Sequence, residues 1–216
     1  MDFEVTDIRR TPQGNITAAV FSDGTGVALH PEAALEYSVR IGTEFSPEQI
    51  EELQQRSAVY AARDKAVEYL ARREHSSKEL IMKLRKKDFD AETARAAVEL
   101  CRERGYVDDR RFAEMWIISR LKKHPEGRSS LAAGLARKGV PREIAAEVLE
   151  EKLSPESQDD ALARSLAKYL RTRSADPKKI INHLLRRGFR YADIKRHMEG
   201  LERYEEETGL EYNEYD

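Results

Sequence analysis

The sequence has little of what covalent stapling or small-molecule chemistry requires. Cys101 is its only cysteine, which excludes an internal disulfide and leads us to expect a reducing compartment, the cytoplasm. No apolar run approaches the roughly 18 residues of a membrane-spanning helix. The opening Met1-Asp2-Phe3-Glu4 is not a basic-then-apolar leader, so neither secretion nor membrane attachment is expected. The five histidines, His30, His75, His124, His183 and His197, have no partners at metal-site spacing. No metal and no cofactor are expected. Gly24 and Gly26 flank only Thr25, which is not a phosphate loop, and no serine sits in a nucleophile elbow. Asp108 and Asp109 resemble a catalytic pair, but adjacent side chains on a helix do not face one point; at a helix start they read as caps. There is little sign of the aromatic platforms that stack single-stranded bases. From these absences no enzyme is expected.

Charge is abundant. Charged residues make up 36% of the chain and hydrophobic residues 40%, the balance of a folded protein with a wet surface. The net charge of -2 conceals an asymmetry. Residues 1–56 hold four Lys/Arg against ten Asp/Glu, residues 57–200 hold 33 against 23, and residues 201–216 hold one against seven. An acidic head and tail therefore bracket a basic body suited to nucleic acid or an acidic protein surface.

The body is repetitive. Leu80-Ile81-Met82-Lys83-Leu84-Arg85-Lys86-Lys87-Asp88-Phe89, Leu131-Ala132-Ala133-Gly134-Leu135-Ala136-Arg137-Lys138-Gly139-Val140 and Ile180-Ile181-Asn182-His183-Leu184-Leu185-Arg186-Arg187-Gly188-Phe189 share one pattern. Each is an amphipathic helix with a basic last turn, then a sharp turn, then an apolar plug. Leu84, Leu135 and Leu184 lie five residues before Phe89, Val140 and Phe189, and the plugs are 51 and 49 residues apart. Such a period signals a repeat architecture. Upstream, Tyr69-Leu70 and Tyr169-Leu170 occupy matching positions. Ile117-Ile118 is expected to fill that role in the middle copy, with extra residues in the loop at His124-Pro125-Glu126-Gly127. Downstream, Ala94 and Val98 match Ile194 and Met198, and Ile144 and Val148 are expected to match them one residue early. Each unit reads helix, helix, turn, helix, with Leu70, Leu84, Phe89, Phe112, Trp116, Leu135, Val140, Leu170, Leu184 and Phe189 as the repeat core.

The expected fold is mainly α: tandem three-helix repeats in an elongated array behind a small N-terminal β-strand region. Residues 1–56 read as three strands and short helices, with a hairpin at Asp23-Gly24, a connector over 41–45, and a capped helix start at Ser46-Pro47. Repeat 1 is expected over 57–107, repeat 2 over 108–153, a linker over 154–158, repeat 3 over 159–201 and an acidic tail over 202–216. Ser76, Asp108, Asp109 and Asp176 are the expected helix caps. Asp88 stands where the other copies carry glycine, at a position that favours a left-handed backbone.

Repeated basic positions form the candidate binding surface: Lys83, Arg85, Lys86, Lys87, Arg137, Lys138, Lys178, Lys179, Arg186, Arg187, Arg190 and Arg196. They could track phosphates or acidic protein patches; a cation at a helix C-terminus also simply complements the backbone dipole.

The stretch Arg104-Gly105-Tyr106-Val107-Asp108-Asp109-Arg110-Arg111-Phe112-Ala113 resembles the RecX family of regulatory proteins. So do Ser77-Lys78-Glu79-Leu80 with Leu84 and Phe89, and Arg186-Arg187-Gly188-Phe189-Arg190-Tyr191-Ala192-Asp193-Ile194. The resemblance spans roughly residues 58–200. It implies three tandem three-helix modules and binding to the RecA recombinase filament on DNA. It further implies inhibition of strand exchange and of the filament's ATPase, within recombination, DNA repair and the SOS response. Some members also bind single- or double-stranded DNA directly. A monomer is expected. Two alternatives stay open: a DNA-binding repeat protein without a recombinase partner, and a helical scaffold whose charge serves solubility. Asp88 and the strand-rich head depart from the family pattern.

Overall fold

The computed structural model describes residues 2–171 and 176–208, with the side chains of the last helix followed as far as Gly200. The protein is mainly helical, built of tandem three-helix repeats behind a small β-containing region. It divides into two units, Met1–Asp108 and Asp109–Asp216.

In the first unit, β1 (Phe3–Arg10), β2 (Ile16–Phe21), β3 (Gly26–Ala28) and β4 (Glu44–Phe45) form an antiparallel sheet ordered β3-β2-β1-β4. The expected connector at 41–45 supplies β4, which pairs Phe45 with Phe3 and Glu44 with Glu4. Two residues are too few to show the alternation that marks a strand in sequence. Helices α1 (Pro31–Glu36) and α2 (Pro47–Leu70) cover the sheet. Val5, Ala19, Phe21, Val27, Ala33, Phe45 and Leu53 form the core between them, with the Phe21 and Phe45 rings edge to face at 6.1 Å.

Helix α2 crosses the border expected at residue 57. It is one helix of 24 residues, opened by a capping box in which Ser46 and Gln49 bond each other's backbone. Its two faces serve different cores. Leu53 and Tyr60 pack against the sheet, whereas Val59, Ala62 and Ala66 pack against α3 (Ser77–Arg85) and α4 (Ala91–Glu103). No proline or glycine interrupts the helix after Pro47, so nothing ends it between the two tasks. A charged seam joins α1 to α2. The Arg63 side chain is only 4% exposed and grips Glu32 bidentately at 2.7 and 2.6 Å, holding the Glu32 carboxyl below its usual range. Glu36 accepts from Arg56 at 2.9 Å and from the Tyr60 hydroxyl at 2.7 Å.

The second unit contains α5 (Asp109–Lys123), α6 (Arg128–Lys138), α7 (Arg142–Lys152), α8 (Pro155–Leu170), α9 (Pro177–Arg186) and α10 (Tyr191–Thr208). Residues 154–158, expected as a linker, are the cap and first turn of α8. Ser154 Oγ accepts from Ser157 N at 3.1 Å, and Pro155 takes the first helical position, where its missing N–H costs nothing. Of the acidic tail, residues 202–208 continue α10, and 209–216 lie outside the described residues.

The repeats keep a stricter register than the apolar pattern indicates. In each, the second helix starts twelve residues before the plug and the third starts two residues after it. Leu84, Leu135 and Leu184 are completely buried, each in the separate core of its own repeat. The middle copy needs no extra residues. Ile117 matches Ala66 and Leu166, all buried, while Ile118 is 59% exposed; the residues matching Tyr69-Leu70 are Arg120-Leu121. Likewise Ala145 and Leu149, not Ile144 and Val148, match Ala94 and Val98, although Val148 is buried as well. Polar Arg120 stands where the other copies carry Tyr69 and Tyr169, which hides the register. Phe112 is buried; Trp116, Leu70, Leu170 and Phe89 are half-buried. Gly134 makes room for Trp116: a Cβ there would lie 2.3 Å from the indole.

Caps set the helix starts. Ser76 accepts from Glu79 N, Asp90 from Glu92 N and Thr93 N, and Asp176 from Lys178 N and Lys179 N, each such cap contributing about 1 kcal/mol. Asp109 is the first residue of α5 and Asp108 precedes it. Asp88 adopts φ +68°, beside +81° and +85° for Gly139 and Gly188. Replacing Asp88 with glycine should therefore stabilise the protein by about 0.5–1 kcal/mol in denaturant titrations. Leu135→Ala, which empties the centre of repeat 2, should cost about 2–5 kcal/mol by the same measurement.

Candidate functional site

Each second helix ends in a basic turn: Lys83 and Arg85 in α3, Arg137 and Lys138 in α6, His183 and Arg186 in α9. The sharp turn that follows returns the plug to the core and leaves Arg85, Arg137 and Arg186 on the outside. Lys86, Arg137 and Arg186 are repeat-equivalent and exposed. Arg85, Lys87, Lys178 and Arg190 are exposed too. Among the described residues, Arg85, Lys86, Lys87, Arg137, Lys178 and Arg190 form no ion pair. Arg186 Nε reaches only the carbonyl of Asn182 on its own helix, at 3.2 Å.

Other basic candidates are committed elsewhere. The Lys83 ammonium sits 4.5 Å from the Tyr69 ring centroid, a cation–π contact that ties α3 to α2. Lys179 lies 3.7 Å from its cap residue Asp176. Arg196 pairs with Asp159 at 3.0 Å and Asp193 at 3.2 Å. Lys138 is half-buried.

Arg187 has a structural task. Its Nη2 donates to Pro125 O at 3.0 Å, and its Nη1 lies 3.6 Å from Glu126 Oε1. Glu126 is 3% exposed and is gripped by Arg120 at 2.8 and 3.1 Å. Two guanidinium groups thus offset the cost of burying this carboxylate. Beside it, repeat 3 caps a helix of repeat 2. Gly127, the residue before α6, has no side chain to cap with. Instead Gly127 N donates to Arg187 O at 2.8 Å, Arg128 N to Gln158 Oε1 at 3.1 Å, and Ser129 N to Gly188 O at 3.3 Å. Amides at a helix start have no partner within the helix; here the next repeat supplies one. The approach is close enough to need both glycines. A Cβ on Gly188 would lie 2.3 Å from Ser130 N, and one on Gly127 2.1 Å from Gly188 O. Glu126, Gly127 and Gln158 were not legible as a group because the contact joins residues 30 to 62 apart; the loop composition alone marked 124–127.

The position before the second helix also differs between repeats. His75, the register match of Glu126, is 2% exposed, stacks edge-on to Tyr69 at 6.3 Å, and approaches Glu79 Oε2 at 3.1 Å. In repeat 3, His183 stacks on Tyr169 at 4.7 Å. Among the described residues, no group of three or more His, Cys, Asp or Glu is placed to hold a metal. No helix there is long and apolar enough to cross a membrane.

Gly188→Ala combines a left-handed φ with a backbone clash, and should cost at least about 2 kcal/mol of stability while raising amide exchange at Gly127 and Ser129. Burial pushes the His75 pKa below 6.5, against the opposing pull of Glu79. The unfolded chain therefore takes up this proton first as pH falls. The associated stability is complete above 6.5 and is lost as pH drops towards the folded value. Denaturation midpoints should fall between about pH 7.5 and 5.5, and fall less in His75→Gln.

The geometry can be set beside known proteins. Models of the first and second three-helix domains of RecX match residues 62–101 and 108–149. The regulatory protein RecX of Chlorobaculum tepidum is 37% identical over 139 residues, which covers 62% of this chain and 84% of that relative. The regulatory protein RecX of Oceanobacillus iheyensis is 27% identical over 185 residues, spanning 83% of this chain and 65% of the relative's length. A crystal structure of a regulatory protein RecX superposes with a TM-score of 0.71 at 16% identity, covering 89% of this chain and 97% of its own; that likeness speaks to the fold. With its first two repeats matched by the domain models and a 37% identical relative aligned over most of its length, the chain belongs to the RecX family of regulatory proteins.

Proposed function

We propose that this protein binds the RecA recombinase filament on DNA and restrains recombination and the filament's ATPase, as a monomer and without chemistry of its own. The supporting observation is the recurrence of an exposed cation at the same helix end in each repeat, Lys86, Arg137 and Arg186, with Arg85, Lys87, Lys178 and Arg190 exposed as well. Guanidinium and ammonium groups at helix ends and turns, without ion-pair partners among the described residues, suit phosphate oxygens and acidic protein patches. They confer affinity without base preference, and that affinity falls steeply with salt. Membership of a family of regulatory proteins favours a filament-directed role over simple DNA coating.

Arg187 should be left intact in any test, because it holds the joint at Glu126. With Arg186→Glu and Arg190→Glu combined, suppression of RecA ATP hydrolysis on single-stranded DNA should require roughly tenfold more protein than wild type. The melting temperature should stay unchanged, since both side chains are exposed. If the wild-type protein alters neither ATP hydrolysis nor filament disassembly, the proposal fails. Salt-sensitive DNA binding without a filament effect would support the DNA-only alternative.

A further inference from the structure

The N-terminal region contains only four cations, Arg9, Arg10, Arg40 and Arg56, among its ten carboxylates. Arg56 is taken by Glu36 at 2.9 Å. Arg10 and Arg40 both line one open cleft of about 430 Å³, between the tip of the β1–β2 hairpin and α1. The rest of its wall mixes apolar Ile16, Pro31, Leu35 and Val39 with polar Asn15 and Ser38. Leu35 is 80% exposed, more than any other exposed large apolar side chain among the described residues. Glu32 also borders the cleft, but its carboxylate is held bidentately by Arg63 and lies 3.8 Å from Arg104. The cleft therefore offers two guanidinium groups and an uncovered leucine within a region that is otherwise acidic. Neither feature serves the repeats, and none of the basic helix ends discussed above contributes to it.

We propose that this cleft docks a short acidic segment of a partner protein that carries an aliphatic or aromatic side chain. Guanidinium groups match carboxylates in charge and in hydrogen-bond geometry. A volume of this order accepts one large side chain with adjoining backbone. The exposed Leu35 gives such a side chain an apolar contact, which a phosphate ligand would leave unused. Charge complementarity favours the acidic peptide: Arg10 and Arg40 line one cleft in a region whose other charges are mostly carboxylates.

The test uses the full chain and labelled hexapeptides Glu-Asp-X-X-Glu-Asp, with X drawn from Leu, Phe and Tyr, followed by fluorescence anisotropy. At least one peptide should bind in a salt-dependent way, and the same peptides with lysine replacing every acid should not. Leu35→Asp and Arg40→Glu should each weaken binding at least about tenfold. Both side chains are exposed, so unchanged circular dichroism and melting temperature should show that the fold is kept. Arg10 is left alone because its Nη1 holds Gly14 O at 2.8 Å. The proposal is overturned if no peptide binds, or if the two variants bind as wild type does. It is equally overturned if a single-stranded oligonucleotide binds through Leu35 and Arg40 in place of the peptides. Filament ATPase titrations of the same variants keep the outcome separate from the repeat surface.

Discussion

One backbone turn organises each repeat. At Asp88, Gly139 and Gly188 the chain enters the left-handed region, with φ of +68°, +81° and +85°. In the second and third repeats the plug amide then bonds back across the end of the helix: Val140 N to Leu135 O at 3.1 Å, and Phe189 N to Leu184 O at 3.2 Å. Such a bond satisfies a carbonyl that the helix would otherwise leave open. It also drops the plug onto the buried leucine five residues earlier. In repeat 1 the same turn is made with an aspartate, and Phe89 is less deeply buried than Val140 or Phe189. The core leucine and the plug are thus two consequences of one left-handed residue.

The surface follows from the same geometry. A chain that reverses at this turn leaves the last residues of the second helix outside, next to partial negative charge on the final carbonyls. Lys and Arg are stabilised there by the dipole and remain open to a partner. The repeat therefore presents cations without a separate structural device. In repeat 3 the turn does more, because the carbonyls of Arg187 and Gly188 cap α6 of the preceding repeat. Two neighbouring arginines then have different fates: Arg186 stays outside, whereas Arg187 is drawn to Pro125 and Glu126. Adjacent positions on a helix are separated by about a quarter turn, enough to leave one arginine outside and bring the other to the joint.

The N-terminal region is attached by another principle. Helix α2 lends one face to the sheet and the other to repeat 1, and the Arg63–Glu32 pair locks α1 against it. A buried guanidinium with bidentate partners is costly to break from one side. The cleft with Arg10 and Arg40 is lined by the β1–β2 hairpin, α1 and the residues after it, with no residue of the three-helix repeats in its wall.

The amino-acid sequence by itself determined the repeat. Leu84, Leu135 and Leu184 with their plugs declare the helix period, Ser46, Ser76 and Asp176 mark helix starts, and the basic turns recur beside them. These are local signals, carried by residues within two turns of one another. The tertiary structure decided what contacts between distant residues control. It made α2 continuous, because two cores share it, and it brought Arg120, the register match of Tyr69 and Tyr169, onto the buried Glu126 carboxylate. It also turned Arg187 from a surface cation into a tether, since the open amides of α6 draw the α9–α10 turn against them. A side chain's type is written in the chain, but whether its charge faces solvent or a buried carboxylate depends on which segment packs over it.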